Sequence, residues 1–587
     1  MDFDEVLSLV GDLGRYQAFL FAAVCIPACL AAAATIFSHI FISEVPEHHC
    51  RFSVTSEQAS HLNSSLAPAE DLQNALNMLF LPLDAKGSFS QCQQYDINPN
   101  TVIKQVVKQY NYLNSTILSE YVAQNNWPSV QCLDGWEYDT SEYSETLATK
   151  FNAVCDQAWL RSTAQSAFFL GGIIGSVAFG MISDKWGRRP ALFGATALMV
   201  LGNFMEAFPP SYQAYIAMRF AVGLCYPSVY NLAFLVVAEM IGTKKRMLSS
   251  VVCHISYSFG MMVIAYVAHF IRDWQNLQMA FSLPMVLLIS YYWMVPESPR
   301  WLISQGRLEE AEAIVQKMAR INKVPLSANF LQSNLEGQSH GASPSGQKSD
   351  KIGVTQLLQY PKVVTKIFII AIVWSLSGMV YHGMSFATPD LPSDTYFAFF
   401  MVGLFEIPGT LSAWYTMERF GRRNTIFVTL LLSGVFSIAT AFVPDDAAWL
   451  SILLASLSKF CTSSTFTVIY VYAGELFPTV IRGFAIGMAS TTGQTCLVIT
   501  PYILYLGTVL GGAVPFLIIG TLGGLAALLV LSLPETLDSP LPSTLDESEN
   551  YAEYLNRRRE SRQLKAIVEV KEAREPTRTP RSYTINT

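Results

Sequence analysis

One apolar stretch of the chain ends in Gly180-Met-Ile-Ser-Asp-Lys-Trp-Gly-Arg-Arg189, and a later apolar stretch ends in Glu418-Arg-Phe-Gly-Arg-Arg423. The landmarks that follow these two segments also match in type and order. They are Ala238-Glu-Met-Ile-Gly242 with Gly474-Glu-Leu-Phe-Pro478, and Pro296-Glu-Ser-Pro-Arg300 with Pro534-Glu-Thr536. Three matched landmarks in the same order predict an internal repeat, in which each half of the chain folds alike.

Composition places the two halves in a membrane. The chain of 587 residues is 51% hydrophobic and only 14% charged. A helix needs about 20 apolar residues to cross a bilayer, where lipid offers the backbone no hydrogen-bond partner. Such stretches lie near 18–42, 162–183, 190–208, 213–241, 249–270, 275–295, 363–384, 393–416, 424–443, 447–473, 483–506 and 510–533. We therefore predict an all-α integral membrane protein with twelve transmembrane helices in two six-helix pseudo-repeats.

The repeat also predicts the division of the chain. The expected parts are an N-terminal six-helix half at 1–295 with a large loop at 43–158, a linker at 296–362, a C-terminal half at 363–536 and a tail at 537–587. The linker opens with an alternating-charge stretch, Arg307 to Asn322, which predicts a helix. It ends in a polar Gly/Ser/Gln run from Ser333 to Asp350, and this composition predicts disorder.

Charge in the short loops predicts the orientation. Lysine and arginine concentrate in alternate connections, around Lys185, Lys244 and Arg419, whereas the intervening loops around Pro209 and Pro389 carry almost none. Short positive loops stay on the cytoplasmic side. We therefore expect both termini to be cytoplasmic, the loop at 43–158 to be extracellular, and the protein to reside in the plasma membrane.

The composition of the loop at 43–158 agrees with an extracellular position, because it has 14 acidic and 5 basic residues. Its four cysteines are Cys50, Cys92, Cys132 and Cys155. An even number in an oxidising compartment predicts two disulfides, with three possible pairings. Sequons at Asn63 and Asn114 predict glycosylation on this face. His48 and His49 precede Cys50, but two adjacent histidines are a weak metal signal, and we predict no metal site.

Acidic and arginine residues recur at the cytoplasmic ends of the helices, where Arg–carboxylate pairs could hold and release an inner gate. The predicted gate network consists of Asp184, Arg188, Arg189, Glu239, Arg246, Glu297, Arg300, Glu418, Arg422, Arg423, Glu475, Arg482 and Glu535. The alternative is that these charges only set topology. That alternative explains the arginines, but it does not explain acids that recur at matching places.

These features resemble the organic cation, organic anion and carnitine transporter family of the major facilitator superfamily. The resemblance covers nearly the whole chain. It rests on Gly11-Asp-Leu-Gly-Arg-Tyr-Gln17, Pro46-Glu-His-His-Cys50, Cys132-Leu-Asp-Gly-Trp-Glu-Tyr-Asp139, Pro296-Glu-Ser-Pro-Arg-Trp-Leu302, Tyr470-Val-Tyr472, Gly474-Glu-Leu-Phe-Pro-Thr479 and Leu533-Pro-Glu-Thr-Leu537. It implies the major facilitator fold and transport of a small organic ion by alternating access. Sugar transporters share the gate motifs, but the cysteine-bearing first loop points to organic ions.

Ionisable residues at membrane depth are candidates for function, because they are costly there unless paired or facing a wet cavity. Glu406 precedes Pro408 in an apolar helix and matches an acidic position of the resembled family. It could face a cationic substrate, or it could be the internal partner of Lys459, and the sequence leaves both open. Arg219 lies near one end of its span, and we give it no substrate role.

Aromatic residues on inward faces could hold an organic cation by cation–π attraction. Tyr230 and Phe234 have the i, i+4 spacing of one helix face. Trp374 and Tyr381 coincide with aromatic positions that the resemblance assigns to the substrate cavity. The alternative for all four is ordinary core or interfacial packing.

Substrate charge is the open question of the sequence. Gln494 stands where the resembled family has an acid in many cation carriers and an arginine in many anion and carnitine carriers. A neutral Gln494 near Glu406 and Lys459 favours a cation or zwitterion; an organic anion exchanger, or a receptor or scaffold with a transporter fold, is the alternative. Nothing resembles a P-loop, so we expect no direct ATP hydrolysis. We also predict no enzyme activity, no cofactor and no nucleic-acid partner. The sequence does not predict the oligomeric state.

Overall fold

The computed structural model describes residues 3–52, 54–66, 71–83, 87–110, 113–327, 330–331, 357–537, 542 and 544–551. The predicted polar run from Ser333 to Asp350 and most of the tail lie outside the described residues. Long helices occupy all twelve predicted membrane positions. They are α1 (Arg15–Ile42), α2 (Trp159–Trp186), α3 (Arg188–Met205), α4 (Tyr212–Ala238), α5 (Thr243–Phe270), α6 (Trp274–Met294), α7 (Pro361–Phe386), α8 (Thr395–Phe420), α9 (Arg422–Thr440), α10 (Ala448–Leu476), α11 (Val480–Leu510) and α12 (Ala513–Val530).

Length and hydropathy identify eleven of these helices as membrane spans within the described residues. The remaining helix, α3, has 18 residues and begins with Arg188 and Arg189. These two arginines leave few residues for an apolar core in a helix that is already short. In the repeat, α3 has the position that α9 has in the C-terminal half, so we count it as the twelfth membrane helix.

The apolar core shows how the two halves meet. We call the face that carries the loop at 43–158 extracellular and the opposite face cytoplasmic, after the orientation that the sequence predicts. One large cluster unites the N-terminal half with the extracellular parts of the C-terminal half, including Met384, Phe399 and Phe516. A second cluster fills only the cytoplasmic part of the C-terminal half, around Leu430 and Ala485. The halves therefore share a core on the extracellular side and have separate cores on the cytoplasmic side.

Aromatic rings close the extracellular side between the halves. Phe37 of α1 lies 5.6 Å from Phe386 of α7 and 5.5 Å from Phe399 of α8, measured between ring centroids. Ser166 of α2 donates a 2.7 Å hydrogen bond to the carbonyl of Val498 in α11. At the cytoplasmic ends, the ion pairs between described residues each join parts of the same half, and none crosses from one half to the other. In this conformation the two halves are in contact on the extracellular side, and no ion pair between described residues joins them on the cytoplasmic side.

The loop after α1 folds into a small extracellular domain. Its helices are Ser56–Ser65, Leu72–Phe80, Pro99–Gln109 and Ser115–Asn125. Strands β1 (His48–Cys50) and β4 (Trp136–Tyr138) pair antiparallel, as do β2 (Gln93–Tyr95) and β3 (Ser129–Gln131). The disulfides are Cys50–Cys132 and Cys92–Cys155, which is one of the three pairings left open by the sequence. They tie both ends of the domain to its strands.

The two sequons differ in setting. Asn63 is exposed on the helix Ser56–Ser65. Asn114 caps the helix Ser115–Asn125, because its side-chain oxygen accepts a 2.9 Å hydrogen bond from the backbone N–H of Ile117. Glycosylation at either residue stays a prediction.

Short cytoplasmic helices at Phe3–Val10, Pro299–Ser304 and Leu308–Asn322 pack beneath the N-terminal half. The last of these agrees with the helix predicted from Arg307 to Asn322. Asp4 forms ion pairs with both Arg246 and Arg300. A further helix at Leu545–Glu549 caps the start of α7, since Glu549 accepts hydrogen bonds from the backbone N–H groups of Lys362 and Val363.

Candidate functional site

A cavity of about 170 Å³ lies between the halves near the middle of the membrane helices. Its lining comes from α4 and α5 of the N-terminal half and from α7, α8, α10 and α11 of the C-terminal half. Five of the seven residues predicted to bind substrate line it, namely Tyr230, Trp374, Tyr381, Glu406 and Gln494. The other two, Phe234 and Lys459, do not.

Glu406 presents the charged group of this cavity. The carboxyl is 1% exposed, and its Oε1 accepts a 2.5 Å hydrogen bond from the hydroxyl of Tyr381. Its Oε2 has no hydrogen-bond partner among the described residues and lies 3.8 Å from Nζ of Lys459. A buried carboxylate oxygen without a hydrogen bond is costly unless a ligand or a cation approaches it. Glu406 is therefore both the ion-pair partner of Lys459 and a lining residue.

Lys459 lies behind the cavity rather than in its lining, contrary to the prediction. Its Nζ donates to Oγ of Ser385 at 2.8 Å and to the backbone carbonyl of Tyr381 at 3.3 Å, and it sits 3.1 Å from the centroid of the Tyr381 ring. A fully buried ammonium requires several acceptors. α7 supplies these acceptors on the side away from the cavity. The Tyr381 ring therefore lies between the ammonium and the cavity.

Phe234 is also misplaced by the prediction. It packs against the large apolar cluster instead of lining the cavity. The i, i+4 spacing from Tyr230 was the reason for including it, but four residues also advance a helix by about 6 Å. Phe234 is thus one turn nearer the cytoplasm than the cavity, although it shares a face with Tyr230.

Aromatic rings that the sequence analysis missed complete the cavity. They are Tyr226, Tyr257, Phe466 and Tyr470. The Trp374 and Tyr470 rings meet edge to face at 4.3 Å, and the Tyr381 and Phe466 rings do so at 5.1 Å. The pairs Tyr226/Tyr230 and Phe466/Tyr470 both have i, i+4 spacing, and this signal could have identified them.

Two histidines of the cavity were not predicted as binding residues. The His382 ring lies 5.0 Å from that of Tyr381, and its Nδ1 has no hydrogen-bond partner among the described residues. His254 is held by its Nδ1, which lies 2.9 Å from the backbone carbonyl of Ser250. With Gln494, these rings place further polar groups beside the carboxylate of Glu406.

The predicted gate residues form two equivalent clusters, one in each half. In the N-terminal half, Glu297 accepts backbone hydrogen bonds from Arg188 at 2.8 Å and from Arg189 at 3.3 Å. The Arg188 guanidinium pairs with Asp184 at 3.1 Å and with Glu239 at 3.5 Å. A carboxylate bound to the first N–H groups of α3 also interacts favourably with the positive end of the helix dipole.

The C-terminal half repeats this arrangement. Glu535 accepts backbone hydrogen bonds from Arg422 at 2.8 Å and from Arg423 at 3.1 Å, at the start of α9. The Arg422 guanidinium pairs with Glu475 at 3.0 Å. Glycines before the two helices, Gly187 and Gly421, have φ of +107° and +90°. A side chain there would be strained and would collide with the capping glutamate.

The remaining gate residues lie apart from these clusters. Arg246 and Arg300 pair with Asp4, and Nε of Arg482 donates to the Phe477 carbonyl at 3.3 Å. Glu418 is exposed and accepts a 3.0 Å hydrogen bond from the indole of Trp414. Every described ion pair of the set joins elements of one half, so in this conformation the network stabilises each half separately.

Arg219 lies in a buried polar network outside the lining of the central cavity. It is 0% exposed and donates to the Thr35 carbonyl at 2.9 Å and to Oε1 of Gln165 at 3.1 Å. Glu206 lies 3.5 Å from its guanidinium. These contacts tie α4 to α1, α2 and α3 within the N-terminal half.

Comparison with known proteins is consistent with this architecture. Residues 100–544 match the family described as "Sugar (and other) transporter". The beta-alanine transporter of Drosophila melanogaster is 32% identical, covering 94% of this chain and 89% of that protein. The organic cation/carnitine transporter 2 of Homo sapiens is 31% identical, covering 93% and 94%. The organic cation transporter 1 of Caenorhabditis elegans is 31% identical, covering 94% and 89%.

Solved structures show the same fold. The inward open conformation of the xylose transporter XylE from E. coli is 18% identical, covers 90% of this chain and 99% of that chain, and gives a TM-score of 0.56. Its partially occluded inward open conformation is 16% identical, covers 88% and 99%, and gives 0.55. The fold of the two six-helix halves is therefore the major facilitator fold.

Proposed function

Because this chain belongs to the organic cation, organic anion and carnitine transporter family of the major facilitator superfamily, we propose that it carries small organic cations or zwitterions through its central cavity. The protein is a multi-pass membrane transporter and not an enzyme. The observation that carries the proposed substrate class is the Glu406 carboxylate, which faces a cavity enclosed by aromatic rings and has Oε2 free of hydrogen bonds among the described residues.

A cationic group in this cavity would contact both a negative charge and π faces. Aromatic rings attract a desolvated cation by about 0.5–2 kcal/mol each. Tyr381 and Trp374 offer such rings beside Glu406. The carboxylate supplies the larger, charge-assisted interaction, and the rings also exclude water from it.

A zwitterion would use the neutral side of the same cavity. The relatives named for beta-alanine and carnitine are named for molecules that carry an ammonium and a carboxylate together. Gln494 has amide N–H groups that can donate to a carboxylate, as His382 can through its ring. Lys459 compensates the charge of Glu406 from behind Tyr381. The cavity is thus close to neutral overall, which suits a substrate without net charge.

The proposed transport cycle is alternating access between the two halves, which correspond to 1–295 and 363–536, joined by a linker at 296–362 and followed by a tail at 537–587. The extracellular aromatic closure and the absence of cytoplasmic cross-half bonds between described residues support an inward-facing state. We propose that the clusters capped by Glu297 and Glu535 keep each half rigid, and that they approach each other when the inner side closes. Plasma-membrane residence, glycosylation at Asn63 and Asn114, and cytoplasmic termini are part of this proposal.

The driving force would be the substrate gradient, together with the membrane potential for a cation. A membrane potential supplies about 2.3 kcal/mol per elementary charge for each 100 mV. A zwitterion gains nothing from it unless an ion is cotransported. Dependence of uptake on potential therefore distinguishes the two substrate types.

The test is uptake of labelled tetraethylammonium, carnitine, beta-alanine and an organic anion into cells that express the chain, with the potential set by external potassium. We expect the cation or the zwitterions to enter, and Glu406→Gln to lower that uptake by at least about tenfold, the effect of losing one charge-assisted hydrogen bond. Glu309→Gln, on the exposed side of a cytoplasmic helix, is the matched control and should leave uptake unchanged. Uptake of the anion alone, or normal uptake by Glu406→Gln at normal surface expression, would refute the proposal.

A further inference from the structure

A second and larger cavity, of about 540 Å³, opens on the extracellular side above the aromatic closure. It is lined by the outer ends of α1, α2 and α11, by the connection between α7 and α8, and by the Cys92–Cys155 disulfide. Phe386, which contacts Phe37, forms part of its floor. The aromatic closure between the halves therefore separates this outer cavity from the central one.

Polar groups without partners face the outer cavity. Gln165 is 3% exposed, and its Nε2 has no hydrogen-bond partner among the described residues, although its Oε1 accepts from Arg219. Oε2 of Glu44 and Nε of Arg161 are likewise buried without hydrogen bonds to described residues. Buried polar groups are costly when they are left unpaired. Their convergence on one cavity indicates a site that a polar ligand can complete.

The charges of these groups have both signs and come from both halves. Arg161 lies on α2, Glu44 directly follows α1, and Asp390 lies in the connection between α7 and α8. Neither acid forms an ion pair with Arg161 within 4.0 Å. A guanidinium and an amide N–H are thus available beside two carboxylates, in one cavity that is closed below.

We propose that this outer cavity is a second binding site for a zwitterion that carries an ammonium and a carboxylate, occupied before the outer side of the transporter opens. The carboxylate of the ligand would accept hydrogen bonds from Arg161 and Gln165, because a guanidinium fork and an amide match two carboxylate oxygens. Its ammonium would lie against Glu44 and Asp390. Because these two acids belong to different halves, a bound ammonium stabilises their approach. This inference rests on the proposed function for its ligand class.

Burial disfavours the charged form of Glu44, so a positively charged ligand beside it would be stabilising. Loss of water around this carboxyl, together with the smaller effect of the nearby charge of Asp390, raises its pKa to about 8. An ammonium in the cavity would favour the ionised form and recover part of that penalty. The arrangement differs from a permanent ion pair, since neither acid contacts the guanidinium directly.

The experiment uses a thiol placed in the outer cavity. Thr508 is exposed and lines it, so Thr508→Cys should react in intact cells with a membrane-impermeant methanethiosulfonate reagent. The native free cysteines are buried or half-buried, which keeps the background low. Beta-alanine and carnitine are the probes, and the measured quantity is the concentration of each that halves the labelling rate. Ser60→Cys, exposed on the extracellular domain, should label at a rate that neither probe changes.

We expect protection of Thr508→Cys by at least one probe, weakened about tenfold when Glu44→Gln is added, since a charge-assisted contact is lost. Asp390→Asn, in the connecting loop, is a second variant that should weaken protection if Glu44→Gln does not reach the surface. Glu47→Gln, an exposed neighbour outside the cavity, should leave protection unchanged.

Comparison with Glu406→Gln separates the outer site from the central one. Protection that survives Glu406→Gln but weakens in Glu44→Gln supports the outer site, even if no zwitterion is transported. Protection that is lost in Glu406→Gln and kept in Glu44→Gln assigns the effect to the central cavity and overturns the inference. Absence of protection by either probe at millimolar concentration also overturns it, whatever uptake shows.

Discussion

The Tyr381 hydroxyl donates a 2.5 Å hydrogen bond to Oε1 of Glu406 and thereby joins α7 to α8 at the central cavity. The same tyrosine places its ring 3.1 Å from Nζ of Lys459 and its backbone carbonyl 3.3 Å from it. One residue therefore orients the carboxylate on one side and shields the ammonium on the other. The negative charge of the pair therefore faces the cavity, and the positive charge lies behind the Tyr381 ring. The pair as a whole is neutral.

Tyr381→Phe should weaken substrate binding without removing the aromatic wall. The ring remains, but Glu406 loses the donor that fixes its Oε1, and a buried acceptor without its partner costs about 1–3 kcal/mol. We expect the KM for a transported cation to rise about tenfold, since 1.4 kcal/mol corresponds to that factor. Uptake at a series of concentrations, corrected for surface expression, measures it. Tyr266→Phe, on the lipid-facing surface of α5, is the control and should leave KM unchanged.

Lys459→Met should destabilise the fold and leave the shape of the cavity largely unchanged. Removal of one partner of a buried ion pair costs about 3–5 kcal/mol, because the other charge remains buried. Glu406 would be left with the Tyr381 hydroxyl alone. We expect a lower melting temperature of the purified protein in detergent.

The double variant Lys459→Met with Glu406→Gln provides the control for that prediction. It removes both charges, so it should recover most of the melting temperature while cation uptake stays low. Equal melting temperatures for the single and double variants would show that the pair does not stabilise the fold.

Hydropathy and the repeat were sufficient to predict the fold. The apolar stretch at 190–208 predicted even α3, whose first turn carries two arginines and whose full length is not apolar enough to be identified as a span. The pairing of the disulfides could not be predicted from the sequence. Cys50 and Cys132 are 82 residues apart, and their approach depends on the pairing of β1 with β4. Sequence spacing carries no information on such a contact.

The lining of the central cavity was predicted in part, and its role in substrate binding stays a prediction. Glu406 was identifiable because a carboxylate is rare at membrane depth, and that cost is independent of helix rotation. Tyr257 and His382 depended on rotation, which the nearly uniform hydrophobicity of α5 and α7 does not reveal. Lys459 was misassigned for a related reason. The acceptors that attract its ammonium, Ser385 and a backbone carbonyl of α7, belong to another helix.

Gly187→Ala should disturb the N-terminal half through the cap of α3. A methyl group at Gly187 would lie 2.3 Å from Oε2 of Glu297, and the φ of +107° at this residue is unfavourable for alanine. Either the cap or the turn must shift, with an expected cost of about 1–3 kcal/mol. We expect reduced surface expression and a lower melting temperature, and the same for Gly421→Ala at Glu535. Gly194→Ala, inside α3 with no atom within 4 Å of the added carbon, should be neutral or stabilising. Equal effects of all three substitutions would contradict the capping role.

External pH should tune the outer cavity through Glu44. The titratable and charged groups around it are His39, His48, Glu142, Tyr143, Asp156, Arg161, Asp390 and Tyr505. Burial raises the pKa of Glu44 to about 8 and lowers the pKa of His48, whereas Asp390 is exposed to solvent. Between external pH of about 7 and about 9, Glu44 is thus the carboxyl that changes charge, from mostly protonated to mostly ionised.

Only the ionised form attracts an ammonium, so binding in the outer cavity should strengthen as the external pH rises through this window. Carnitine is the suitable probe, because its quaternary ammonium has no proton to lose. We expect the concentration that protects Thr508→Cys to fall about tenfold between the two pH values, in proportion to the ionised fraction of a group with a pKa near 8. The fall should be absent in Glu44→Gln and retained in Glu47→Gln. An unchanged pH dependence in Glu44→Gln would assign the titration to another group and remove Glu44 from the site.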